Sequence, residues 1–442
     1  MHALNDLLLQ GPVSAAELRR QLGVSQATFS RLANGEERVI QFGKARATRY
    51  ALNRPIRGIS SFPLWRVNEQ GRAYKFGDVY PCWPQGSCLV KDAEGGWEWF
   101  DGLPWYLTDL RPQGFLGRAW GRRFAQQYAL PEDIRLWQES DVLYALSRFT
   151  GENFGGWLVG EENYQRWIAH AGPEVTHEED KLQKYVKIAH DALAGDVIGS
   201  SAGGEQPKFT CIIPTPSGQA HVLVKFTAPQ LTPVSARWCD LLFAEAIALR
   251  MLSQAGITAA DATAIQGQNG QVFLEVRRFD CVGMTGRRAI VSLEATQSEF
   301  ISATSSWPHA VAKLITAGVV EPEIFAQVER IWAFGRLTGN SDMHAGNLSF
   351  YYSQLPLELA PVYDMLPMAF APTSQGMMRQ ESCELRFDTT LSRQAWDFAF
   401  PLAYRFWESI AAEKRISANF RHIASGMATR LDEIREMVNK MA

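Results

Sequence analysis

The chain has 442 residues, of which 46% are hydrophobic and 21% charged, and its formal net charge is −3. This length suggests about two to four domains, and the ordinary globular balance excludes an intrinsically disordered chain. The charge gives no overall attraction to nucleic acid or acidic lipid, so any such contact must be local. There is no apolar run of the roughly 18 residues that span a bilayer and no signal-peptide pattern, so we expect a cytoplasmic protein without a membrane partner.

The first predicted unit covers residues 1–52. Ser14 and Glu17 have the spacing of a capping box at the start of a helix. Gly23 marks a tight turn, and Ser25 begins a second helix that reaches Leu32. Two short helices joined by a glycine-containing turn are typical of a helix-turn-helix.

The residues after these helices predict a wing and a local basic surface. Residues 39–42 and 46–52 alternate like a β-hairpin around Gly43 and Lys44. Residues 1–52 contain seven basic and four acidic side chains, a charge of +3. This favours DNA binding, although a protein-docking module with a solvated basic face has the same pattern. The side chains expected near base edges or phosphates are Gln26, Thr28, Ser30, Arg31, Lys44, Arg46 and Arg49.

The next segments connect this unit to a mixed, aromatic-rich region. Residues 53–58 are polar, contain Pro and Gly, and are predicted to be a linker. Residues 59–195 are expected to form a subdomain with short strands first and helices from about residue 132. Its aromatic side chains at 97–106 are typical of a core rather than of a ligand cage.

A glycine-rich segment then opens a predicted β-lobe, residues 196–300. Residues 199–208 read Gly-Ser-Ser-Ala-Gly-Gly-Glu-Gln-Pro-Lys, and a hairpin follows with Lys225 on its second strand. A glycine-rich turn lets main-chain N–H groups approach phosphates, and a lysine on the next strand can bind them. An ordinary glycine-rich hairpin remains the alternative at this point.

A long apolar helix follows and carries one acidic residue in its middle. The helix is predicted over residues 235–253 with Glu245 at its centre. Glu245 either orients a phosphate-binding lysine, as in protein kinases, or is a solvated residue on the outer face. Residues 271–276 predict a strand, and Arg277 to Phe279 leave it at the place where a kinase chain crosses between its lobes.

Residues 301–442 predict a helical lobe that contains one polar loop of particular interest. Asp342 and Asn347 lie five positions apart, and Asp364 follows two short strands. Phosphoryl transfer in protein kinases uses an Asp-x-x-x-x-Asn loop, a hairpin and a metal-binding Asp in this order. The alternative is a surface loop with unrelated polar residues. Beyond it we expect helices over residues 396–406, 410–416 and 427–441.

Taken together, these motifs resemble HipA-type serine/threonine kinases, the toxin halves of bacterial toxin–antitoxin systems. The resemblance covers about residues 59–442. It implies a two-lobed, protein-kinase-like fold with a β-rich N-lobe and a helical C-lobe, and together with the winged helix-turn-helix predicted before it this gives an α+β chain. It also implies ATP and Mg²⁺ as cofactors and a Ser/Thr protein kinase activity that inhibits growth.

The resemblance assigns roles to individual residues. Asp342 is implied as the catalytic base, and Asn347 and Asp364 as ligands of Mg²⁺. Ser200 or Ser201 is implied as the site of an inactivating autophosphorylation. The residues implied to bind ATP are Ser201, Ala202, Gly203, Gly204, Lys225, Glu245, Arg277, Arg278, Phe279, His344, Asn347 and Asp364.

The sequence departs from the HipA-type pattern at one position of the Asp342–Asn347 loop. The HipA-type pattern has a lysine before the metal-binding asparagine, whereas this chain has Gly346.

The implied partners are a protein substrate, by analogy an aminoacyl-tRNA synthetase, DNA through the N-terminal unit, and an antitoxin-like protein. Two other functions are compatible with the sequence: a DNA-binding transcription regulator with a nucleotide-sensing or inactive kinase fold, and a small-molecule phosphotransferase.

Overall fold

A computed structural model describes residues 2–148, 154–169, 176, 179–194, 206–216, 218–373, 375–379, 383 and 385–440. Over these residues the chain is a mixed α+β protein with a small N-terminal unit, a middle unit and two further lobes. No helix in the described ranges is long and apolar enough to span a membrane.

The N-terminal unit packs three helices against a three-stranded antiparallel sheet. The helices are α1 (His2–Leu8), α2 (Ala15–Leu22) and α3 (Gln26–Asn34). The strands are β1 (Val13–Ser14), β2 (Val39–Phe42) and β3 (Arg49–Leu52), in the order β1-β3-β2. Leu8, Leu18 and Phe29, one from each helix, are fully buried. The ring of Phe29 meets that of Tyr50 edge to face at 5.0 Å, which joins the helices to the sheet.

Helix caps form largely as the sequence indicates. Ser14 Oγ accepts a hydrogen bond from the Glu17 main-chain nitrogen at 3.3 Å, and Ser25 caps α3 in the same way. The Glu17 carboxylate pairs with Arg20 instead of completing a capping box. Gly23 ends α2 with a φ of 66°, a left-handed conformation that favours glycine.

The β2–β3 hairpin has a longer tip than the sequence pattern indicates. Residues 45–47 form a 3₁₀ turn, so β3 begins at Arg49 rather than at Arg46. Gly43 has a φ of 79°, and a Cβ placed there would lie 2.4 Å from the Ala47 carbonyl oxygen. The close return of the chain therefore requires glycine at this position.

Residues 53–58 are fixed against the middle unit rather than loosely tethered. The Asn53 side-chain amide donates hydrogen bonds to the carbonyl oxygens of Ser60 and Pro81, at 3.0 and 2.8 Å. The Trp83 main-chain nitrogen donates to the Leu52 carbonyl oxygen at 2.9 Å. A buried cluster spans the same junction and contains Phe42, Ala51, Cys82 and Leu89.

The middle unit is a five-stranded antiparallel sheet covered by helices. Its strands are β4 (Phe62–Val67), β5 (Ala73–Pro81), β6 (Cys88–Asp92), β7 (Trp97–Phe100) and β8 (Trp157–Val159), in the order β7-β6-β5-β4-β8. Its helices are α4 (Trp105–Thr108), α5 (Gly114–Tyr128), α6 (Glu139–Arg148) and α7 (Glu161–Ala169). The next helix, α8 (Lys181–Ala194), packs on the β-lobe instead, with Tyr185 against Phe209. Phe100, Trp105 and Tyr106 are buried and Trp97 and Trp99 half-buried, as expected for core aromatics.

The β-lobe that follows is an antiparallel sheet backed by one long helix. Its strands are β9 (Lys208–Thr215), β10 (Gly218–Phe226), β11 (Ala262–Gln266) and β12 (Val272–Arg277), in the order β11-β12-β10-β9. The helix is α9 (Pro233–Gln254), capped reciprocally by Thr232 and Ser235. Lys225 of β10 stands opposite Lys208 of β9, which brings two cationic side chains together.

The C-terminal lobe is mainly helical. It contains α10 (Leu293–Phe300), α11 (Trp307–Thr316), α12 (Ile324–Leu337), α13 (Arg393–Ala412) and α14 (Ala418–Asn439). Short strands join it to the β-lobe: β13 (Cys281–Val282), β14 (Gly286–Arg287), β15 (Ile290–Ser292), β16 (Ser349–Tyr351) and β17 (Glu358–Leu359). The last three form a sheet in the order β15-β16-β17, and the strand β16 carries the chain out of the Asp342–Asn347 loop.

The helix boundaries near the C-terminus differ from the sequence pattern. A single helix, α13, replaces the two predicted over 396–406 and 410–416, and it continues through Pro401. Buried Trp396 and Trp407 lie on its continuous core face. The break comes at Ser417, whose main-chain nitrogen and hydroxyl both donate to the Asp240 carboxylate at 2.7 Å. Ser417 therefore starts α14 ahead of the predicted residue 427.

Candidate active site

Two asparagine side chains fix the loop that holds Asp342. Asn340 Oδ1 accepts a hydrogen bond from the Asp342 main-chain nitrogen at 3.0 Å. Its Nδ2 donates to the Asp364 carbonyl oxygen at 3.2 Å. Asn347 Nδ2 donates to the Asp342 carbonyl oxygen at 2.8 Å. These bonds tie the two ends of the loop to each other and to the segment of Asp364. Because the Asn347 side-chain nitrogen is used in this way, the side-chain oxygen Oδ1 is the acceptor that Asn347 still offers.

Asp364 occupies an unusual backbone conformation. Its φ is 53°, in the left-handed region, which costs about 1 to 3 kcal/mol for a residue other than glycine. The preceding Tyr363 is anchored because its hydroxyl donates to the Gly346 carbonyl oxygen at 2.8 Å and pairs with Ser349 Oγ at 2.8 Å. Such strain, held in place by neighbouring hydrogen bonds, is typical of functional sites.

Asp364 meets Lys225 and Glu245 in one ion-pair cluster. Lys225 Nζ donates to the two Glu245 carboxylate oxygens at 2.7 and 2.8 Å, and it also pairs with Asp364 Oδ1. Glu245 is fully buried, and the side chains of Lys225 and Asp364 are 5% and 27% exposed. Glu245 is thus not a solvated residue on the outer face of its helix, and it positions the lysine from within.

The electrostatics of the cluster follow from burial and opposite charge. Burial lowers the pKa of Lys225, but Asp364 and Glu245 outweigh it and raise the pKa above its ordinary value. Burial raises the pKa of Asp364, but Lys225 and Lys208 outweigh it and hold that pKa below its ordinary value. A charged lysine and an ionised Asp364 are therefore the stable forms at neutral pH.

A cavity of about 230 Å³ lies between the β-lobe and the C-terminal lobe. Leu223, Val276 and Ile290 give it apolar walls, and Lys225, Asn347 and Asp364 line its polar part. Apolar walls with a few convergent polar groups are typical of a small-molecule site. The arrangement suits a ligand with a flat apolar part and an anionic part.

Asp342 faces a second, wider cavity. This cavity has a volume of about 800 Å³, and Asp342 lines it together with Arg336, Arg386 and Asp388. His344 lines both cavities and therefore lies at their junction. Partial burial raises the pKa of Asp342, and the nearby His344 opposes this change. Asp342, the residue predicted as the base, thus lines the second cavity and not the first, and His344 connects the two cavities.

The segment 277–279 lines the first cavity, and its members differ in role. Arg278 is buried, and its guanidinium donates to the Asp280 carboxylate at 3.0 and 2.7 Å. Arg277 is exposed and Phe279 half-buried. The Phe279 ring lies 5.7 Å from that of Tyr363. The charge of Arg278 is therefore paired with a carboxylate of the protein, which favours a structural role over ligand binding.

Comparison with known proteins places the chain in a family. A family model described as the HipA-like C-terminal domain matches residues 200–441, and one described as the YjjJ-like toxin middle domain matches residues 59–168. The chain is 60% identical to Toxin YjjJ of Escherichia coli strain K12 over 441 residues, which cover all of both chains.

The chain belongs to the family of HipA-like toxins.

The fold agrees with this membership. The chain is similar to HipA in a solved complex of HipA, HipB and operator DNA from Shewanella oneidensis MR-1, with a TM-score of 0.51. The match has 15% sequence identity and covers 85% of this chain and 99% of the other. At this identity the likeness concerns the fold, which is the predicted mixed α+β architecture.

The position at which the sequence resemblance led us to expect a lysine is occupied by Gly346. The His344 ring packs beside Gly346, and its Nδ1 accepts a hydrogen bond from the Gly346 main-chain nitrogen at 3.0 Å. A Cβ at Gly346 would lie 2.8 Å from the His344 ring, and 3.3 Å from a Glu294 carboxylate oxygen. A larger residue at 346 therefore requires the His344 side chain to move.

The structure adds site residues that the sequence patterns did not single out. Lys208 is buried, lines the first cavity and stands opposite Lys225. From the middle unit, Asp109 and Phe154 line the same cavity. The Asp109 carboxylate accepts hydrogen bonds from the Ser292 main-chain nitrogen and hydroxyl at 2.6 and 2.7 Å. Lys208 belongs to the quoted glycine-rich motif, whereas no local signal marks Asp109 or Phe154.

The remaining predicted residues fall into two groups. Ser200, Ser201, Ala202, Gly203 and Gly204 lie outside the described residues, so the predicted phosphate-covering loop and its autophosphorylation site stay predictions. Of the side chains expected to contact DNA, those described are wholly or partly exposed, and they lie on α3 or the hairpin: Gln26, Thr28, Ser30, Arg31, Lys44 and Arg49.

Two of these side chains already have partners within the protein. Arg49 Nη2 donates to the Pro12 carbonyl oxygen at 2.6 Å, and the Thr28 hydroxyl pairs with Ser25 Oγ at 3.0 Å. The side chain of Arg46 lies outside the described part of the structure. Arg31 and Lys44 are exposed and are the stronger candidates for phosphate contacts.

Proposed function

We propose that the chain is an ATP- and Mg²⁺-dependent serine/threonine protein kinase that acts as a growth-inhibitory toxin. The observation that carries this proposal is the ion-pair cluster of Lys225, Glu245 and Asp364, which adjoins the Asp342–Asn347 loop. Protein kinases use a lysine–glutamate pair and a metal-binding aspartate for phosphoryl transfer. Membership in the HipA-like toxin family supports the same conclusion.

ATP would occupy the first cavity with its phosphates towards the lysines. The apolar walls at Leu223, Val276 and Ile290 suit the adenine ring. Lys225 and Lys208 would attract the phosphates, and Glu245 keeps the Lys225 ammonium group in place. Positioning and charge stabilisation account for most of the catalysis of phosphoryl transfer, so a lysine fixed in this way is effective.

Asn347 and Asp364 would hold Mg²⁺. Mg²⁺ is commonly bound through one or two protein oxygen ligands together with waters and substrate phosphates. Asn347 commits its amide nitrogen to the Asp342 carbonyl, which leaves the amide oxygen for a cation, so this donor pair fits. Among the described residues no three His, Cys, Asp or Glu side chains cluster as a metal site, and the fit depends on phosphate oxygens as well. Bound Mg²⁺ would neutralise charge on the phosphates.

Asp342 would act on the acceptor hydroxyl from the second cavity. Its carboxylate takes the proton of the serine or threonine hydroxyl as the new bond from oxygen to the γ-phosphorus forms. The bond from the γ-phosphorus to the bridging oxygen breaks, and ADP leaves. A pKa above the ordinary aspartate value improves Asp342 as a proton acceptor. The second cavity opens beside Asp342 and would receive the acceptor residue of a polypeptide.

Regulation and targets extend this proposal. Phosphorylation of Ser200 or Ser201 would add about 1.5 to 2 negative charges next to the bound phosphates, and repulsion would expel the loop and silence the enzyme. The family resemblance favours an aminoacyl-tRNA synthetase as the protein target and an antitoxin-like protein as a partner. Both remain proposals for this chain.

A second activity, DNA binding, is favoured by the N-terminal unit. Helix α3 and the β2–β3 hairpin each have an exposed face, which supports the winged helix-turn-helix expected from the sequence, in which the second helix would enter the major groove. The exposed Arg31 and Lys44 lie on these two elements. We propose that this unit binds an operator and regulates transcription in addition to the kinase activity.

The proposed function is tested by phosphoproteomics of cells that express the chain. Wild type should produce new phosphoserine or phosphothreonine sites and slow growth, whereas Asp342→Asn should do neither. The matched control is Asp261→Asn, since Asp261 is exposed and lines neither cavity. Equal phosphorylation by wild type and Asp342→Asn would contradict the proposed kinase activity.

A further inference from the structure

The wall of the second cavity carries two cationic side chains beside Asp342. Arg336 comes from the last turn of α12, and Arg386 from the segment before α13. The Arg336 guanidinium lies 5.0 Å over the Trp332 ring, and its Nε is buried without a hydrogen-bond partner in the described structure. Burial lowers the pKa of Arg336, the Asp388 charge opposes this change, and the Arg386 charge adds to it. Both side chains line the same cavity, so one ligand bound there can meet both guanidinium groups.

The carboxylates of the same wall have other roles. Asp388 accepts hydrogen bonds from Trp332 Nε1 at 3.0 Å and from the Thr390 nitrogen and hydroxyl at 3.0 and 2.6 Å. Asp342 serves as the base in the proposed reaction. Over the described residues neither Arg336 nor Arg386 forms an ion pair with Asp388 or any other carboxylate. Asp388 attracts Arg336 through space without an ion pair between them in the described structure, so the exposed Arg386 is the cationic donor that the cavity offers most openly to a ligand.

We infer that this cavity selects acceptor serines or threonines that are flanked by anionic side chains. The inference rests on the proposed kinase function and adds a substrate class to it. An arginine binds a carboxylate or a phosphoryl group through two parallel N–H donors, so Arg336 and Arg386 suit either an acidic or a phosphorylated neighbour of the acceptor. His309 lies on the same wall and adds a further donor.

Charge discrimination is the physical basis of this selection. A basic residue beside the acceptor would face Arg386 and lose affinity, whereas an anionic one gains a charge-assisted hydrogen bond. Arg386 is exposed, so its replacement changes the charge of the cavity without emptying the core. The half-buried Arg336 packs on Trp332 and is less suited to a clean substitution.

Direct binding tests the inference without relying on catalysis. The probes are fluorescent peptides that contain one serine flanked by glutamates, phosphoserines, alanines or lysines. The full-length chain carrying Asp342→Asn is titrated by anisotropy, with and without Arg386→Glu, and with Arg405→Glu as a control of equal charge change on an exposed residue that lines neither cavity. We expect the glutamate or phosphoserine peptide to bind about tenfold more tightly than the lysine peptide.

Arg386→Glu should reverse this preference, and Arg405→Glu should leave it unchanged. A preference for glutamate over phosphoserine identifies acidic substrates, and the opposite preference identifies primed, phosphorylated ones. Equal binding of all peptides, or a preference for lysine in the unsubstituted cavity, would overturn the inference. If the kinase proposal is wrong, the wild type will transfer no phosphate, but the peptide affinities will still show the predicted preference. The two proposals can therefore fail independently.

Discussion

Asn347 donates a hydrogen bond from its side-chain nitrogen to the main-chain carbonyl of Asp342, at 2.8 Å. The bond closes the six-residue loop from Asp342 to Asn347 and leaves the Asn347 amide oxygen as the acceptor that we assign to Mg²⁺. Asn340 joins the same loop to Asp364. Asp342, Asn347 and Asp364, the proposed base and the two proposed metal ligands, are thereby held in one hydrogen-bonded frame, on which the predictions below depend.

Removal of the Lys225 ammonium group should destabilise the protein. Lys225→Met leaves Glu245 buried without a cation, and loss of one partner from a buried pair costs about 3 to 5 kcal/mol. The free energy of unfolding, measured by denaturant titration, should fall by this amount. Lys225→Met combined with Glu245→Gln should recover part of it. Lys414→Met is the matched control on an exposed lysine, and an equal loss there would contradict the assignment.

The rate should depend on the protonation of Asp342. Because burial raises the pKa of Asp342, more of the group is protonated at a given acidic pH than in an ordinary aspartate. A base must be deprotonated, so the rate should rise with pH through that raised pKa and then level off. A pH profile of kcat for peptide phosphorylation checks this. An acid limb with its midpoint below the ordinary aspartate pKa would contradict the role of Asp342.

Loss of a proposed metal ligand should raise the Mg²⁺ concentration that the reaction requires, while the protein remains folded. Asn347→Ala removes one of the two proposed protein ligands, and we expect the Mg²⁺ concentration for half-maximal rate to rise at least about tenfold. The rate is measured against Mg²⁺ at fixed ATP. Asn439→Ala, at the far end of α14, is the control. An unchanged Mg²⁺ dependence in Asn347→Ala would show that Asn347 does not bind the metal.

DNA binding by the N-terminal unit should be electrostatic and sensitive to salt. For a mixed-sequence duplex, the logarithm of the binding constant should fall linearly with the logarithm of salt concentration. Arg31→Ala with Lys44→Ala should weaken binding and reduce that slope by about 2, since each phosphate contact contributes about 0.9. Fluorescence anisotropy over a salt series gives both values. Binding that does not respond to salt, or that the double variant retains in full, would reject this surface.

Much of the site could be predicted from local sequence because its chemistry depends on short spacings. The five-residue separation of Asp342 and Asn347 fixes their loop, and Glu245 lies in the middle of one apolar helix. The sequence left Glu245 either beside the lysine or solvated on the outer face of its helix, and the structure shows it buried against Lys225. The HipA-like family membership expected from the joint motifs is confirmed as well.

Other features depend on contacts between residues distant in sequence. Asp109 and Phe154 reach the first cavity only because the middle unit packs against β15 and α10, and no pattern in their own segments shows this. Lys208 depends on the β9–β10 register that sets it opposite Lys225. Helix α13 is one continuous helix because its buried face is continuous, although two separate helices were expected over 396–406 and 410–416.

The measurement that tests the central claim most directly is phosphate transfer in vitro from ATP labelled in its γ-phosphate. The purified wild type with Mg²⁺ should incorporate label into itself or into a serine-containing peptide. Asp342→Asn should lower the rate by about a hundredfold or more, and Lys225→Met by about a hundredfold, whereas Asp261→Asn should match wild type. Equal labelling by wild type, Asp342→Asn and Lys225→Met would contradict the assignment of this site to phosphoryl transfer.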